Sequence, residues 1–398
     1  MSNASLPLTS RPSYLSVCAA GFLSLAVAMG IGRFAFTPML PLMIRAGSAD
    51  VAAGGWLATA NYAGYLLGAL STARLPFTPQ RVGLIALALI AASTAAMGLG
   101  GSLASWLLWR FVAGAASAWV LVSTSVWCLA WLARFERPSG VGVLYAGVGA
   151  GIAFAGLYCW RASAAGIAPD PLWLQLGGLA LLGLVVVGLL APREAAGVPA
   201  PAAARADAGA TPWGLVICYG ALGFGYILPA TFLPVLARAV VDDPSVFGAA
   251  WPVFGAAAAL STLLAAMALA GMSRRRVLAA SMCLMAVGCL LPVLHLSAPS
   301  VLAAAVLVGG TFMVATMAGL QAARGATRGD PTRALGRMTA AFAIGQMAGP
   351  VLSSSLSRGS ESFGGLFIAL AAGAMALLAS AAWLLRSDIP NPSKETHP

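Results

Sequence analysis

Charge is what this sequence has least of. Only 8% of its 398 residues are Asp, Glu, Lys or Arg, against roughly 25% in a soluble domain. Sixty per cent are apolar, and the mean hydropathy is +0.90. Such a chain cannot cover a water-facing surface, so a membrane protein is expected. Acids are scarcer still: the eleven of them all fall in loops or tails, which leaves no carboxylate at mid-membrane to carry protons. Histidine is confined to His295 and His397, so a histidine metal centre is not expected. The six cysteines lie inside apolar runs and form no Cys-x-x-Cys, a pattern of packing rather than of metal or redox chemistry. No Gly-Lys-Ser/Thr phosphate loop is present, so ATP is not the energy source within the chain and no cofactor is expected. A polytopic membrane enzyme would need a buried acid–base pair or nucleophile, for which no His, Asp or Glu lies at depth.

Long apolar runs are what the chain does have. Twelve windows fall near 14–43, 53–73, 82–101, 103–132, 139–160, 171–191, 213–237, 246–271, 277–296, 300–323, 337–357 and 362–386. Each matches the ~20 residues that a helix needs to cross a bilayer. Ala191–Pro212 is the one long polar, Pro/Ala-rich stretch, and it divides the windows six and six. The expected organisation is therefore a lobe over 1–191, a cytoplasmic linker over 192–212 and a second lobe with a short tail over 213–398. With the N-terminus inside, the outer loops hold only Arg45, Arg161, Arg238 and Arg358, while sixteen basic residues lie on the inner side. That asymmetry predicts a multi-pass protein of the bacterial inner membrane with both termini cytoplasmic. The net charge of +11 is dispersed among these short loops, so it reads as orientation in lipid and not as a nucleic-acid surface.

Two basic residues remain inside the membrane, Arg33 and Arg110. Arg33 sits where Gly30 and Gly32 remove side-chain bulk and Pro38 and Pro41 each withhold a backbone donor. A cation at the bilayer centre costs from about 2.5 to above 10 kcal/mol, so it should face inward. At 1.5 Å per residue the two arginines lie at comparable depth. The sharper reading is a pair that binds a carboxylate or phosphate, since Arg presents a planar donor fork. The plainer one is that Arg110 donates to carbonyls freed by Pro38 and Pro41 and only staples two helices. An internal repeat adds Tyr226: Gly30-x-Gly32 with Leu40-Pro41 recurs as Gly223-x-Gly225 with Leu233-Pro234, and Arg33 falls opposite Tyr226. Repeats of this kind, with binding at their interface, are the plan of secondary transporters. Trp119 and Phe312 are aromatic candidates for the path; Asn61 and Gln346 are polar candidates that either touch substrate or bridge helices, and the Thr124 hydroxyl either joins them or bonds its own preceding turn.

The segment Gly-Ile-Gly-Arg-Phe-Ala-Phe-Thr-Pro-Met-Leu-Pro (30–41) resembles the YbfB/YjiJ-type group of the major facilitator superfamily, and the resemblance covers essentially the whole chain. Arg110-Phe-Val-Ala-Gly114 is similar to the superfamily's Arg-x-x-x-Gly pattern in the fourth helix. The loop Gly68-Ala-Leu-Ser-Thr-Ala-Arg74 with Arg81 is a looser match, without that loop's usual Asp. Gly147-x-x-x-Gly151 and Gly345-x-x-x-Gly349-Pro350 resemble a glycine motif of exchangers, the first without its Pro. The resemblance implies an all-α fold of twelve transmembrane helices in two pseudo-symmetric six-helix lobes. These would rock about a cavity lined by the first, fourth, seventh and tenth helices. It also implies a monomer moving a small-molecule substrate through the lipid bilayer; with no buried carboxylate, coupling would use a proton on the substrate itself, a counter-anion exchanged at the arginine pair, or simple facilitated flow. An anionic or zwitterionic metabolite is favoured. Efflux of a drug or other hydrophobic compound is the alternative.

Overall fold

The computed structural model describes residues 12–387, apart from 136, 138, 193–212, 239, 241–243, 270, 328–330 and 357–363. Nearly all of the expected linker, and every acidic residue except Asp50 and Asp170, lies outside the described residues. Twelve helical spans run in order: α1 (Tyr14–Arg45), α2 (Val51–Ser71), α3 (Pro79–Ala96), α4 (Leu103–Arg134), α5 (Ser139–Ala164), α6 (Pro169–Leu190), α7 (Trp213–Arg238), α8 (Pro244–Ala268), α9 (Arg274–Leu294), α10 (Ala298–Ala326), α11 (Pro331–Leu356) and α12 (Gly364–Ser387). No strand occurs among the described residues. Lipid offers a backbone no hydrogen-bond partner, so apolar runs of this length close their own bonds as helices.

The starts of several helices are set by short polar side chains. Asp50 accepts from the Ala53 N–H at 2.7 Å and opens α2. Ser102 opens α4, and Ser297 with Ser300 makes a reciprocal cap on α10. Ten of the spans are long and apolar enough to cross a membrane by length and composition. The two that fall short, α2 and α11, pack against each other as well as within their own sets. They carry Asn61 and Gln346, 1% and 0% exposed. A helix covered by protein on both flanks tolerates polar side chains that a lipid-facing helix cannot. Leu182, Leu189, Leu264, Ile368 and Met375 are exposed, and they make up the outward face that lipid would cover.

Glycines set the closest helix contacts. α1 lies on α5 where a Cβ on Gly30 would run into the Gly151 backbone, and one on Gly147 into that of Phe22. The second half repeats this with α7 on α11: Gly223 meets the Phe342 backbone and Gly345 meets that of Gly220. The other face of α5 carries Gly142, Gly149 and Gly156 against α8, with Gly255 of α8 answering against Ala153. Small residues let backbones approach where lipid supplies no hydrophobic push between helices. Two six-helix sets therefore meet along α5–α8 and α2–α11.

α1 is not one regular helix. Tyr14–Leu25 and Phe36–Arg45 are α-helical, while the nine residues Ala26–Phe34 between them form a π-helix, closed by Ala35 N–H donating to the Gly30 carbonyl at 2.7 Å. Pro38 and Pro41 lie just beyond it, so the glycine and proline pattern ends in a widened coil rather than a break.

Candidate functional site

The π-helical stretch carries Arg33 to the centre of the bundle, where the side chain is 3% exposed. Its Nη2 donates to Oε1 of Gln346 on α11 at 2.9 Å, a contact between the two helix sets. Its Cζ stands 3.8 Å from the Tyr65 ring centroid on α2, with Tyr62 and Phe34 at 5.8 and 5.4 Å. Aromatic faces attract a cation, and the attraction grows when water is excluded. The remaining donors of Arg33, on Nε and Nη1, are buried and have no hydrogen-bond partner among the described residues. The same holds for Nε2 of Gln346 and the hydroxyl of Tyr226. A buried guanidinium short of acceptors is costly unless something else meets it.

A narrow space adjoins it. A small cavity, with room for about one water molecule, is lined by Met29, Arg33 and Phe34 of α1, Tyr65 of α2, Leu121 of α4 and Val148 of α5. Tyr219 of α7, Phe312, Met313 and Thr316 of α10, and Thr339 and Phe342 of α11 line the other side. Its lining combines apolar walls with a few polar anchors, the make-up of a ligand site in a closed state. The expected walls from the first, fourth, seventh and tenth helices are present, and α2, α5 and α11 contribute as well. An aromatic stack adjoins this cavity. The Tyr226 ring lies 4.5 Å from Phe312 and 5.9 Å from Phe342, both stacked. Phe34 meets Phe312 edge-on at 6.4 Å and Trp251 of α8 at 6.1 Å.

Arg110 is placed differently. It is beside α1, 4% exposed, but Nη1 donates to the Gly32 carbonyl at 3.2 Å and Nη2 to the Arg33 carbonyl at 3.3 Å. Its Cζ is 4.5 Å from the Phe36 ring centroid, and it does not line the cavity. The two guanidiniums are neighbours without facing one pocket. Asn61 donates from Nδ2 to the Arg110 carbonyl at 2.9 Å, which ties α2 to α4. Trp119 donates from Nε1 to the Ser71 hydroxyl at 2.9 Å, at the end of α2. Thr124 lines a separate, equally small cavity inside the first helix set, with Ser24, Gln80, Gly83 and Trp127. Arg33, Gln346, Phe312 and Tyr226 thus gather at the centre, and Asn61, Trp119 and Thr124 do not.

Sequence reasoning passed over Tyr65, Tyr219, Thr339 and Phe342 as site residues. Spacing held a clue: Tyr65 is one turn beyond Asn61 on α2, and Thr339, Phe342 and Gln346 share one face of α11.

Twelve helices in two matched sets around a shared cavity are the fold of the major facilitator superfamily, a multi-pass membrane fold. Residues 25–385 match the family described as "Uncharacterised MFS-type transporter YbfB", and the chain belongs to that family. A curated relative, "Uncharacterized MFS-type transporter Ent638_1421" of Enterobacter sp. (strain 638), is 31% identical over 123 residues, or 30% of this chain. That match spans 31% of the relative's own length. Among solved structures, the human organic anion transporter MFSD10 (TETRAN) superposes with a TM-score of 0.69 at 18% identity. The superposition covers 94% of this chain and 100% of that one, a likeness of fold.

Proposed function

We propose that the protein is a secondary transporter of a small organic anion with an apolar body, moved by alternating access of the two helix sets. The observation that carries this is Arg33: a buried cation on the wall of a cavity lined by both sets, with the donors on two of its nitrogens, Nε and Nη1, unmet. Among the described residues the only acids are Asp50, which caps α2, and Asp170, in the first turn of α6, so neither neutralises it. A carboxylate or phosphate would supply both the charge and the acceptors. Met29, Phe34, Phe312 and Phe342 would cover the apolar remainder. A neutral lipophilic solute would leave the Arg33 donors stranded, which counts against drug efflux.

The solved relative named as an organic anion transporter is consistent with this substrate class. Lobes of 1–191 and 213–398, joined by a cytoplasmic linker and working as a monomer with both termini inside a bacterial inner membrane, complete the proposal. Coupling would come from a counter-anion exchanged at Arg33 or a proton carried by the substrate itself. The test is uptake of labelled solutes into proteoliposomes, with and without a pH gradient. Aryl and alkyl carboxylates should be taken up while their amides are not. Selective movement of lipophilic cations would reject the reading.

A further inference from the structure

Three side-chain donors of α4 grip the π-helical stretch of α1. Ser117 Oγ shares its proton between the Ala113 carbonyl of its own helix at 2.7 Å and the Ala28 carbonyl at 2.9 Å, and Arg110 donates to those of Gly32 and Arg33 at 3.2 and 3.3 Å. All three α1 acceptors lie within Ala26–Phe34. A π-helix of this length is rare, and it persists where its surroundings hold it. In an i→i+5 register the Arg33 carbonyl would look to residue 38 for its donor, and Pro38 has no N–H. Arg110 supplies a donor there. Arg110 is itself held by Asn61 on its backbone carbonyl and by the Phe36 ring.

The register decides where Arg33 points. One extra residue in a turn rotates the rest of the helix by about 100° relative to an uninterrupted α-helix. A return of this stretch to α-helical form would therefore swing the segment's side chains toward other neighbours. We propose that Arg110, with Ser117, is a positioning residue: it holds α1 in the π form, aims Arg33 into the central cavity and does not touch the substrate. The proposal rests on Arg33 as the anion's seat, but its test reads the direction of position 33 with no anion present. Failure of either idea is thus visible separately.

The experiment labels single cysteines in the full-length protein in proteoliposomes with a small charged thiol reagent, and mass spectrometry then reads the labelled position. Arg33→Cys reports the direction of α1, and Thr316→Cys, across the same cavity on α10, reports whether the cavity itself survives. Adding Arg110→Gln should slow labelling at position 33 roughly tenfold or more while leaving position 316 within about twofold, since reaction follows exposure of the thiolate. Arg110→Lys, which can serve one carbonyl but not two, should fall between. Equal labelling at position 33 with and without Arg110 overturns the proposal. So does a matching loss at both positions, which would make Arg110 a general packing residue.

Discussion

Nη2 of Arg33 and Oε1 of Gln346 lie 2.9 Å apart although 313 positions separate them in the chain. This contact joins the first helix of one set to the fifth helix of the other. It is the hydrogen bond that ties Arg33 to the other helix set. Removing one partner of a buried pair strands the other, whereas removing both with apolar groups of similar size is far less costly. Gln346→Met should therefore lower the melting temperature in detergent more than Arg33→Met/Gln346→Met does. Thermal unfolding of the purified single and double variants checks the order.

Tyr65 presents its ring to the Arg33 Cζ at 3.8 Å. A desolvated cation–π contact is worth about 2 kcal/mol, which corresponds to roughly thirtyfold in an equilibrium constant. Tyr65→Phe keeps the ring and should retain anion affinity within a few-fold. Tyr65→Leu should weaken it by roughly that thirtyfold factor. The concentration dependence of uptake by the two variants decides this.

Trp119 and Thr124 are held away from the central cavity, the first by its bond to Ser71 and the second inside the first helix set. Neither Trp119→Phe nor Thr124→Val should change the KM for the anion. A raised KM in either variant would extend the path beyond the cavity that Arg33 lines.

The twelve spans were legible because bilayer thickness writes itself into run length, and the six-and-six division because of one Pro/Ala-rich stretch. Arg33 and Arg110 could be placed at one depth from the rise per residue, and their side chains do lie close together. That Arg110 turns toward backbone carbonyls was one of two readings left open, and fork geometry alone could not choose it over an anion-binding pair. That turn depends on a π register for which Gly30, Gly32 and Pro38 give no distinct sequence signal. Gln346 was a candidate from the sequence, but its pairing with Arg33 was out of reach for a different reason: a contact across 313 positions depends on how the sets dock, not on local pattern. Tyr226 was placed opposite Arg33 by the repeat. Its ring ends stacked between Phe312 and Phe342, a fact of three helices packing together.

Glycine seams make the sharpest stability test. A Cβ on Gly149 would meet the Ala259 backbone and one on Gly147 that of Phe22, whereas Gly178 has nothing within 4 Å. Gly149→Val should abolish recovery of folded protein. Gly178→Ala should be neutral or stabilising by up to about 1 kcal/mol, the helix-propensity difference. Size-exclusion profiles of the detergent-solubilised variants distinguish them.

The unmet donors of Arg33 are the centre of this account, and equilibrium binding of matched carboxylates and amides to purified protein tests them most directly. Hydrogen bonds to a charged group contribute about 1.5–3 kcal/mol, so the wild-type protein should prefer the carboxylate by roughly ten- to hundredfold. Arg33→Gln should erase that preference while leaving amide binding unchanged. An Arg33→Gln protein that still selects the carboxylate to the same degree would contradict the account.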